Sequence, residues 1–143
     1  MMTSEEEKLI STAVELLDER YNPPVHSVAA ALRTKSGKVY TSLNVDHFNG
    51  FVCAETAALS DAINHKEYSF DRIVAVRKDD RGVTSVVNMC GKCRQIFHDY
   101  APDIAVIVSD GSANTVKSII ELLPHAFTRQ RDKIQSVIAG TIK

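Results

Sequence analysis

All three cysteines of the chain lie in two short segments whose spacing could hold a metal ion. The first segment reads CAETAAL from Cys53, and the second reads CGKCRQ from Cys90. Cys90 and Cys93 are three residues apart, so their sulfur atoms face the same side of a helical turn. Glu55 follows Cys53 by two residues, so a metal at Cys53 would leave this carboxylate able to reach a bound ligand.

Both cysteine segments follow strand-like sequence, which predicts that each of them begins a helix. At a helix N-terminus the backbone dipole lowers the pKa of a thiol and favours the thiolate that a metal requires. A tetrahedral zinc ion with three protein ligands keeps one position open for water. Three cysteines without an obvious fourth ligand therefore favour a catalytic zinc site over a structural one.

Other uses of the cysteines are open at this point. A CxxC motif can be redox-active, although thioredoxin-like motifs lie near the start of a different strand–helix pattern. A structural zinc site would take its fourth ligand from a histidine, but none is at a recognisable spacing from the cysteines. A zinc-stabilised binding protein without catalysis is a further alternative, and Glu55 argues against it because a structural site needs no carboxylate there.

Length and composition narrow the class of protein. The 143 residues, 44% of them apolar and 24% charged, predict one domain over residues 1–143 with a real hydrophobic core. A net charge of −1 gives no basic field for nucleic acid. No apolar run has membrane-spanning length, and MMTSEEEKL is acidic where a signal peptide is basic. We therefore expect a soluble, cytoplasmic protein that contacts neither nucleic acid nor membrane and whose thiols are reduced.

Helical and strand-like segments alternate along the chain. Thr3 or Ser4 can cap the first helix, which Pro23 and Pro24 must follow rather than continue. Helices are predicted at 4–21, 53–67, 90–101, 119–123 and 128–140, strands at 25–34, 38–45, 70–78, 83–88 and 104–110, and a short extended piece at 114–118. These elements predict an α/β domain with helices on both faces of a sheet of about five strands. Residues 128–143 are predicted as a C-terminal helical extension.

The two cysteine motifs resemble those of the zinc-dependent cytidine deaminase superfamily. Its free-nucleoside branch uses Cys-Ala-Glu and Pro-Cys-Gly-x-Cys-Arg-Gln, matched here by CAE and CGKCRQ. VAAALRTKSGKVYTSLNVD looks like the family's first hairpin, and IIELLPHAF looks like its closing Leu-Leu-Pro-x-x-Phe segment. RTKSGKVY, FDRIVAVR and DYAPDIAVIV look closest to the blasticidin S deaminase branch. The resemblance implies a three-layer α/β/α sandwich around a mixed five-stranded sheet.

The resemblance also implies a reaction and a cofactor. Zinc held by Cys53, Cys90 and Cys93 would activate water, and Glu55 would carry the proton to ring N3 and then to the leaving ammonia. The implied function is hydrolytic deamination of a free cytosine nucleoside, cytidine or deoxycytidine, with blasticidin S as the alternative substrate. CxE in place of the HxE of polynucleotide deaminases argues against nucleic-acid editing. Arg94, with the two helix N-termini, could offset the negative charge of three thiolates.

Substrate contacts follow from the resemblance residue by residue. Asn44 and Asp46 match the family's sugar-binding pattern, and Ala54 lies between the zinc ligand and the catalytic carboxylate. Phe127 matches the aromatic residue that packs over the base, often from a neighbouring subunit. Phe48 is a further candidate for the pocket wall, although an aromatic residue there is as often part of the core.

The chain departs from the family pattern at several positions. Asp46 is one methylene shorter than the usual Glu, and the 44–53 segment is about two residues shorter than in cytidine deaminases. Met89 replaces the usual Pro before the second cysteine, and Thr56 stands where many cytidine deaminases have Arg. We therefore expect a non-standard sugar pocket and a differently tuned zinc site.

The resemblance implies a homotetramer, with a dimer as the smaller option. Its neighbouring subunits would complete each active site. An apolar stripe on the last helix, at Ile134, Val137 and Ile138, could add to that contact. The alternative is that this stripe folds back onto its own domain.

Overall fold

The first helix begins and ends where the sequence predicts. A computed structural model of the chain describes residues 2–141. Thr3 Oγ1 accepts a hydrogen bond from the Glu6 backbone N–H, and the Glu6 carboxylate accepts one from the Thr3 N–H. This reciprocal cap fixes the helix start, and Leu9, Ala13 and Leu17 then bury one face of the helix.

Five helices and six strands form the described part of the chain. The helices are α1 Ser4–Arg20, α2 Ala54–Asn64, α3 Gly91–Tyr100, α4 Ile119–Leu122 and α5 Arg129–Thr141. The strands are β1 Val28–Thr34, β2 Val39–Leu43, β3 Phe70–Lys78, β4 Thr84–Val86, β5 Ala105–Ser109 and β6 Asn114–Ser118.

The strands form one mixed sheet in the order β2-β1-β3-β5-β6. Only β3 and β5 pair in parallel, while the other neighbours on this path are antiparallel. β5 pairs with β3 at Arg72 and Ile73, and β4 pairs antiparallel with β3 at Val76, Arg77 and Lys78. The mixed α/β sheet is confirmed, with β4 as a sixth strand beside the five of the main path.

The 114–118 segment, predicted only as an extended piece, pairs with β5 along its full length as β6. Its pattern of half-buried and exposed residues explains the weak sequence signal. An edge strand of this kind buries too little apolar surface to stand out in the sequence.

Helices cover both faces of the sheet. Alternate residues of a strand point to opposite faces, so Ala29, Ala31, Val74 and Val76 pack with α1. Their neighbours pack on the other face with α2 and α3: Ala30, Leu32, Ile73 and Ala75. The three layers are therefore α1, the sheet, and the pair of helices that the two cysteine segments begin.

The last helix packs against α3. Gln135 Nε2 donates to the carbonyl oxygens of Asp99 and Tyr100. Of the predicted stripe, Ile138 is buried in its own domain, whereas Val137 is exposed. One residue thus fits the expectation that the stripe folds back onto its own domain, and the other is free for a contact between subunits. Residues 142 and 143 of the predicted extension lie outside the described residues. Between residues 2 and 141, no helix has the length and apolar character needed to cross a membrane.

Candidate active site

Two helix N-termini bring the three cysteines together. Cys53 is the N-cap of α2 and Cys90 is the N-cap of α3, both in extended backbone conformation. Cys93 follows in the first turn of α3 and is fully buried. The Cys53 side chain makes no cap hydrogen bond with its own helix, so its sulfur atom remains available to a ligand.

The spacing of the sulfur atoms fits a zinc ion. All three Sγ atoms lie within 4.8 Å of one another, and those of Cys53 and Cys90 are 3.8 Å apart. Zn–S bonds of about 2.3 Å in a tetrahedron place two sulfur atoms about 3.8 Å apart. In the described range, 2–141, no histidine or carboxylate joins this cluster as a fourth ligand. Three sulfur ligands leave a position for a reacting molecule.

The three thiols differ in acidity before a metal binds. Burial raises the pKa of Cys90, but the backbone N–H of Cys93 and the neighbouring thiols outweigh it, and the net pKa is lowered. Burial raises the pKa of Cys53, and it raises that of Cys93 further. Binding of a cation must therefore displace protons from at least two of the thiols.

Glu55 lies in the first turn of α2 and is only 6% exposed. Burial raises the pKa of its carboxyl above the ordinary 4.5, while its own backbone N–H acts in the opposite direction. A carboxyl group with a raised pKa is better suited to accept a proton and return it near neutral pH. The structure thus places a buried carboxyl group beside the sulfur cluster, and its role as the proton carrier stays a prediction.

A cavity of about 150 Å³ joins Glu55 to Cys53 and Cys90, while Cys93 is fully buried and outside its lining. It is lined by Val28, Asn44, Phe51, Cys53, Ala54, Glu55, Val87, Asn88 and Cys90. Five residues predicted from the sequence therefore meet in one cavity. Two larger cavities, of about 230 and 330 Å³, lie beside α5 and contain none of the cysteines. We assign the site by its chemistry rather than by cavity size.

Asn44 enters this cavity with one of its two polar atoms already used. Its Oδ1 accepts hydrogen bonds from the backbone N–H groups of Ser27 and Val28, at 2.9 and 3.1 Å. Two donors facing one atom identify that atom as the oxygen. The Nδ2 amino group is left to donate to a ligand, since no acceptor within residues 2–141 is bonded to it.

Three predicted substrate contacts lie outside the lining of the cavity. Phe48 is 98% exposed and stacks on His47, with ring centroids 4.5 Å apart. Phe127 is 65% exposed, and its carbonyl oxygen accepts a hydrogen bond from Gln95 Nε2. Asp46 is also exposed. Within a single chain these side chains do not close the site, and their contacts with substrate stay predictions.

Arg94 connects the site to α4 through two backbone carbonyl groups. Its Nε donates to the Met89 oxygen at 2.8 Å, and its Nη1 donates to the Leu122 oxygen at 3.0 Å. The Met89 side chain is buried, so both this side chain and the hydrogen bond from Arg94 hold the segment before Cys90 in place. The role of Arg94 in offsetting thiolate charge stays a prediction.

Phe51 and Asn88 line the cavity and were not among the residues that the sequence singled out. Each stands two residues before an N-cap cysteine, at Cys53 and at Cys90. The residues that lead into a helix whose N-terminus faces a site also face that site. This position is the signal that could have identified them.

A three-sulfur zinc site with an open position and a buried carboxylate beside it defines the protein as a metal-dependent hydrolase in its chemistry. Residues 3–109 match the family described as "Cytidine and deoxycytidylate deaminase zinc-binding region". The chain belongs to this family and is a zinc-dependent deaminase. The expectations for superfamily, enzyme class and cofactor are confirmed.

Individual relatives support the same assignment. The chain is 36% identical to a blasticidin-S deaminase of Bacillus cereus over 129 residues, which cover 85% of this chain and 91% of that protein. It is 31% identical to a probable cytidine deaminase of Dictyostelium discoideum over 134 residues, which cover 91% and 88%.

Solved structures of cytidine deaminases share the fold. The enzyme from Burkholderia pseudomallei gives a TM-score of 0.72 at 30% identity, covering 88% of this chain and 100% of that one. The enzyme from Bacillus anthracis gives a TM-score of 0.75 at 22% identity, covering 96% and 97%, and it supports the fold alone.

Proposed function

We propose that the protein catalyses hydrolytic deamination of the cytosine amino group of a free nucleoside, cytidine or deoxycytidine. The observation that carries this proposal is the single cavity in which Glu55 lies with Asn44 and the sulfur atoms of Cys53 and Cys90. Membership of the deaminase family supports the reaction type. One water is consumed and one ammonia is released, with no change in oxidation state.

The residues of the site have three roles: they bind zinc, transfer protons and orient the substrate. Cys53, Cys90 and Cys93 would hold the zinc ion, which supplies electrophilic activation of the attacking water when bound. Glu55 accepts a proton from that water and delivers it to ring N3, while the water oxygen bonds to C4. Glu55 then carries a proton to the amino group, the C4–N bond breaks, and ammonia leaves a carbonyl behind.

Asn44 is the group in the cavity best placed to orient the sugar. Its Nδ2 donates to a hydroxyl oxygen, while its Oδ1 is held by two backbone N–H groups. Val28 and Val87 supply apolar walls beside the base. Desolvation by such walls strengthens the hydrogen bonds that remain.

Glu55→Gln tests the mechanism because it keeps the shape of the side chain and removes its basicity. We expect turnover of cytidine to fall by roughly 10³-fold, within the range for loss of a general acid–base group. The zinc content per chain should stay at the wild-type value. Glu19→Gln, on the exposed side of α1, is the matched control and should keep full activity. Undiminished deamination by the Glu55 variant would refute the assignment.

Blasticidin S is a second candidate substrate. It is favoured by the 36% identity to a blasticidin-S deaminase, against 31% to a probable cytidine deaminase. The test follows the loss of cytosine absorbance with cytidine, deoxycytidine and blasticidin S under the same conditions. We expect turnover of the nucleosides. If only blasticidin S reacts, the nucleoside assignment is wrong while the chemistry stands.

We propose further that the protein works as a homotetramer, or at least a dimer, in the cytoplasm. The exposed Phe127 ring, outside the cavity of its own chain, supports a role at the cavity of a neighbour. A reducing compartment would keep the three thiols available for zinc.

A further inference from the structure

The loop between β2 and α2 is held in a fixed shape at the mouth of the cavity. Val45 and Val52 exchange two backbone hydrogen bonds of 2.9 Å, so only residues 46–51 form the loop tip. Phe51 adjoins this bridge and stands two residues before Cys53. The position of its ring is therefore tied to that of a predicted zinc ligand.

Lys92 holds Phe51 from the other side. Its Nζ lies 5.4 Å from the centroid of the Phe51 ring and donates to the Phe51 carbonyl oxygen at 3.3 Å. Lys92 lies between Cys90 and Cys93 in the first turn of α3. One side chain thus fixes both the backbone and the ring of Phe51 to the helix that supplies two sulfur atoms.

The Phe51 ring is half-exposed although it lines the cavity that contains Glu55. The other apolar walls, Val28 and Val87, are aliphatic. Phe51 is therefore the one aromatic surface among the cavity-lining residues, and a planar base covering it would remove apolar area from water.

We propose that Phe51, positioned by Lys92, is a substrate-binding residue whose ring contacts the cytosine base. This inference rests on the proposed function, since it names a wall of the same cavity. Phe51 supplies uniform binding of the substrate, while the proton chemistry remains with Glu55. Its loss should therefore raise KM more than it lowers kcat.

The test compares Phe51→Ala, Phe51→Leu and Phe51→Tyr in the zinc-loaded protein with cytidine as substrate. We expect Phe51→Ala to raise KM by about tenfold, the size of one lost base–aromatic contact, with kcat within about twofold. Phe51→Leu should lie between Ala and wild type, and Phe51→Tyr close to wild type. Val83→Ala, a half-exposed side chain in the β3–β4 turn outside the cavity, is the control and should change neither constant.

Lys92 is tested as a positioning residue by a pair of variants. Lys92→Met should raise KM in the same direction as Phe51→Ala, and Lys92→Arg should restore the wild-type value because it keeps a cation over the ring. The zinc content of each variant, measured per chain, should be unchanged.

Three outcomes would overturn the inference. An unchanged KM in Phe51→Ala would remove the ring from the substrate, and a loss of zinc with a falling kcat would assign it to support of Cys53. A change in sedimentation would assign the ring to an interface between copies of the chain. Failure of the proposed function is a separate result, because the wild-type protein would then deaminate no cytosine nucleoside at all.

Discussion

The Thr56 hydroxyl lies 3.4 Å from the sulfur of Cys93, which is fully buried. This hydrogen bond lowers the pKa of a thiol that burial raises strongly. Thr56 occupies a position where many cytidine deaminases have Arg. Here a neutral hydroxyl donor, rather than a charged side chain, supports the thiolate of Cys93. Groups that hydrogen-bond a metal ligand commonly contribute 10- to 100-fold in metal affinity.

Thr56→Val should therefore weaken zinc binding by about tenfold, because it keeps the side-chain volume and removes the donor. The measurement is competition for zinc against a chromophoric chelator. Thr56→Ser, which keeps the hydroxyl, is the matched control and should retain most of the affinity. Equal affinities of the Val and Ser variants would show that the hydroxyl does not support Cys93.

Glu55 should make stability depend on pH. Burial raises the pKa of its carboxyl above 4.5, so the folded protein binds this proton more tightly than the unfolded chain does. The stability from the protonated group is fully present below about pH 4.5 and is lost as the pH rises through the raised pKa. Glu55→Gln is always neutral, so its Tm should exceed that of wild type near pH 8 and approach it in acid.

The comparison uses metal-free protein in thermal unfolding at several pH values, because acid would protonate the thiols and release zinc, which would change Tm by a second route. Glu19→Gln, which removes an exposed carboxylate, should show no such trend. A Glu55→Gln variant less stable than wild type near pH 8 would mean that the ionised carboxylate is stabilised in the folded protein.

Residue types and spacing were enough to predict the sulfur cluster and Glu55, because a helix start places neighbouring residues in a known way. The resemblance predicted Asn44 as a pocket residue, but not that its Oδ1 accepts from backbone groups that lie 16 and 17 residues away in sequence. Phe51 also escaped prediction. Its position depends on a bridge within its own loop and on Lys92, which comes 41 residues later.

At the scale of elements, the segment that leads into α3 is fixed by a side chain rather than by a proline. Asn88 Nδ2 donates to the Ser109 carbonyl oxygen, and Asn88 Oδ1 accepts from the Ser109 N–H, both at 2.8 Å. The side-chain amide thereby exchanges two hydrogen bonds with the end of β5, as a residue of a neighbouring strand would. This contact helps to explain how Met89 can replace the family's Pro before Cys90.

Asn88→Ala should lose both hydrogen bonds and let the segment before Cys90 move. We expect a loss of about 1 to 2 kcal/mol in the free energy of unfolding, because these groups are near solvent and water replaces part of the interaction. Zinc should also dissociate faster. Asn88→Asp keeps the acceptor but places a carboxylate oxygen against the Ser109 carbonyl oxygen, so a loss at least as large as that of Asn88→Ala is expected. Denaturant unfolding and the rate of zinc transfer to a chelator measure the two effects.

Elements with their own stop and start signals could be predicted from the sequence. The capping box at Thr3 and Glu6 and the prolines at 23 and 24 gave α1 its bounds. β6 gave little signal because its pairing with β5, rather than its own residues, makes it a strand. The order of strands in the sheet could not be predicted either, because each pairing joins residues distant in sequence.

At the scale of the whole molecule, the sheet order brings α2 and α3 side by side and so creates the site. The two helices begin 37 residues apart, and their N-caps meet with sulfur atoms 3.8 Å apart. Both helices lie on the face opposite α1. Phe51, in the lining of the cavity, and Phe127, outside it, are both exposed.

Phe51 and Phe127 flank the same side of α3. Lys92 donates to the Phe51 carbonyl oxygen, and Gln95, three residues further along the helix, donates to that of Phe127. The Phe127 ring lies outside the cavity of its own chain, which is the arrangement expected if it closes the cavity of a neighbour. A tetramer should sediment at four times the 15.8 kDa of one chain, and a species of 15.8 kDa would contradict the assembly.

A mixed assembly shows whether Phe127 acts at the active site of a neighbouring chain or at that of its own chain. Glu55→Gln and Phe127→Ala should each be poorly active alone. In assemblies formed from equal amounts of both, half of the sites keep Glu55, and half of these have a neighbour that brings an intact Phe127. Activity should then return to about a quarter of the wild-type value. If Phe127 acts within its own chain, no site has both residues, and the mixture should be no more active than the Phe127→Ala variant alone.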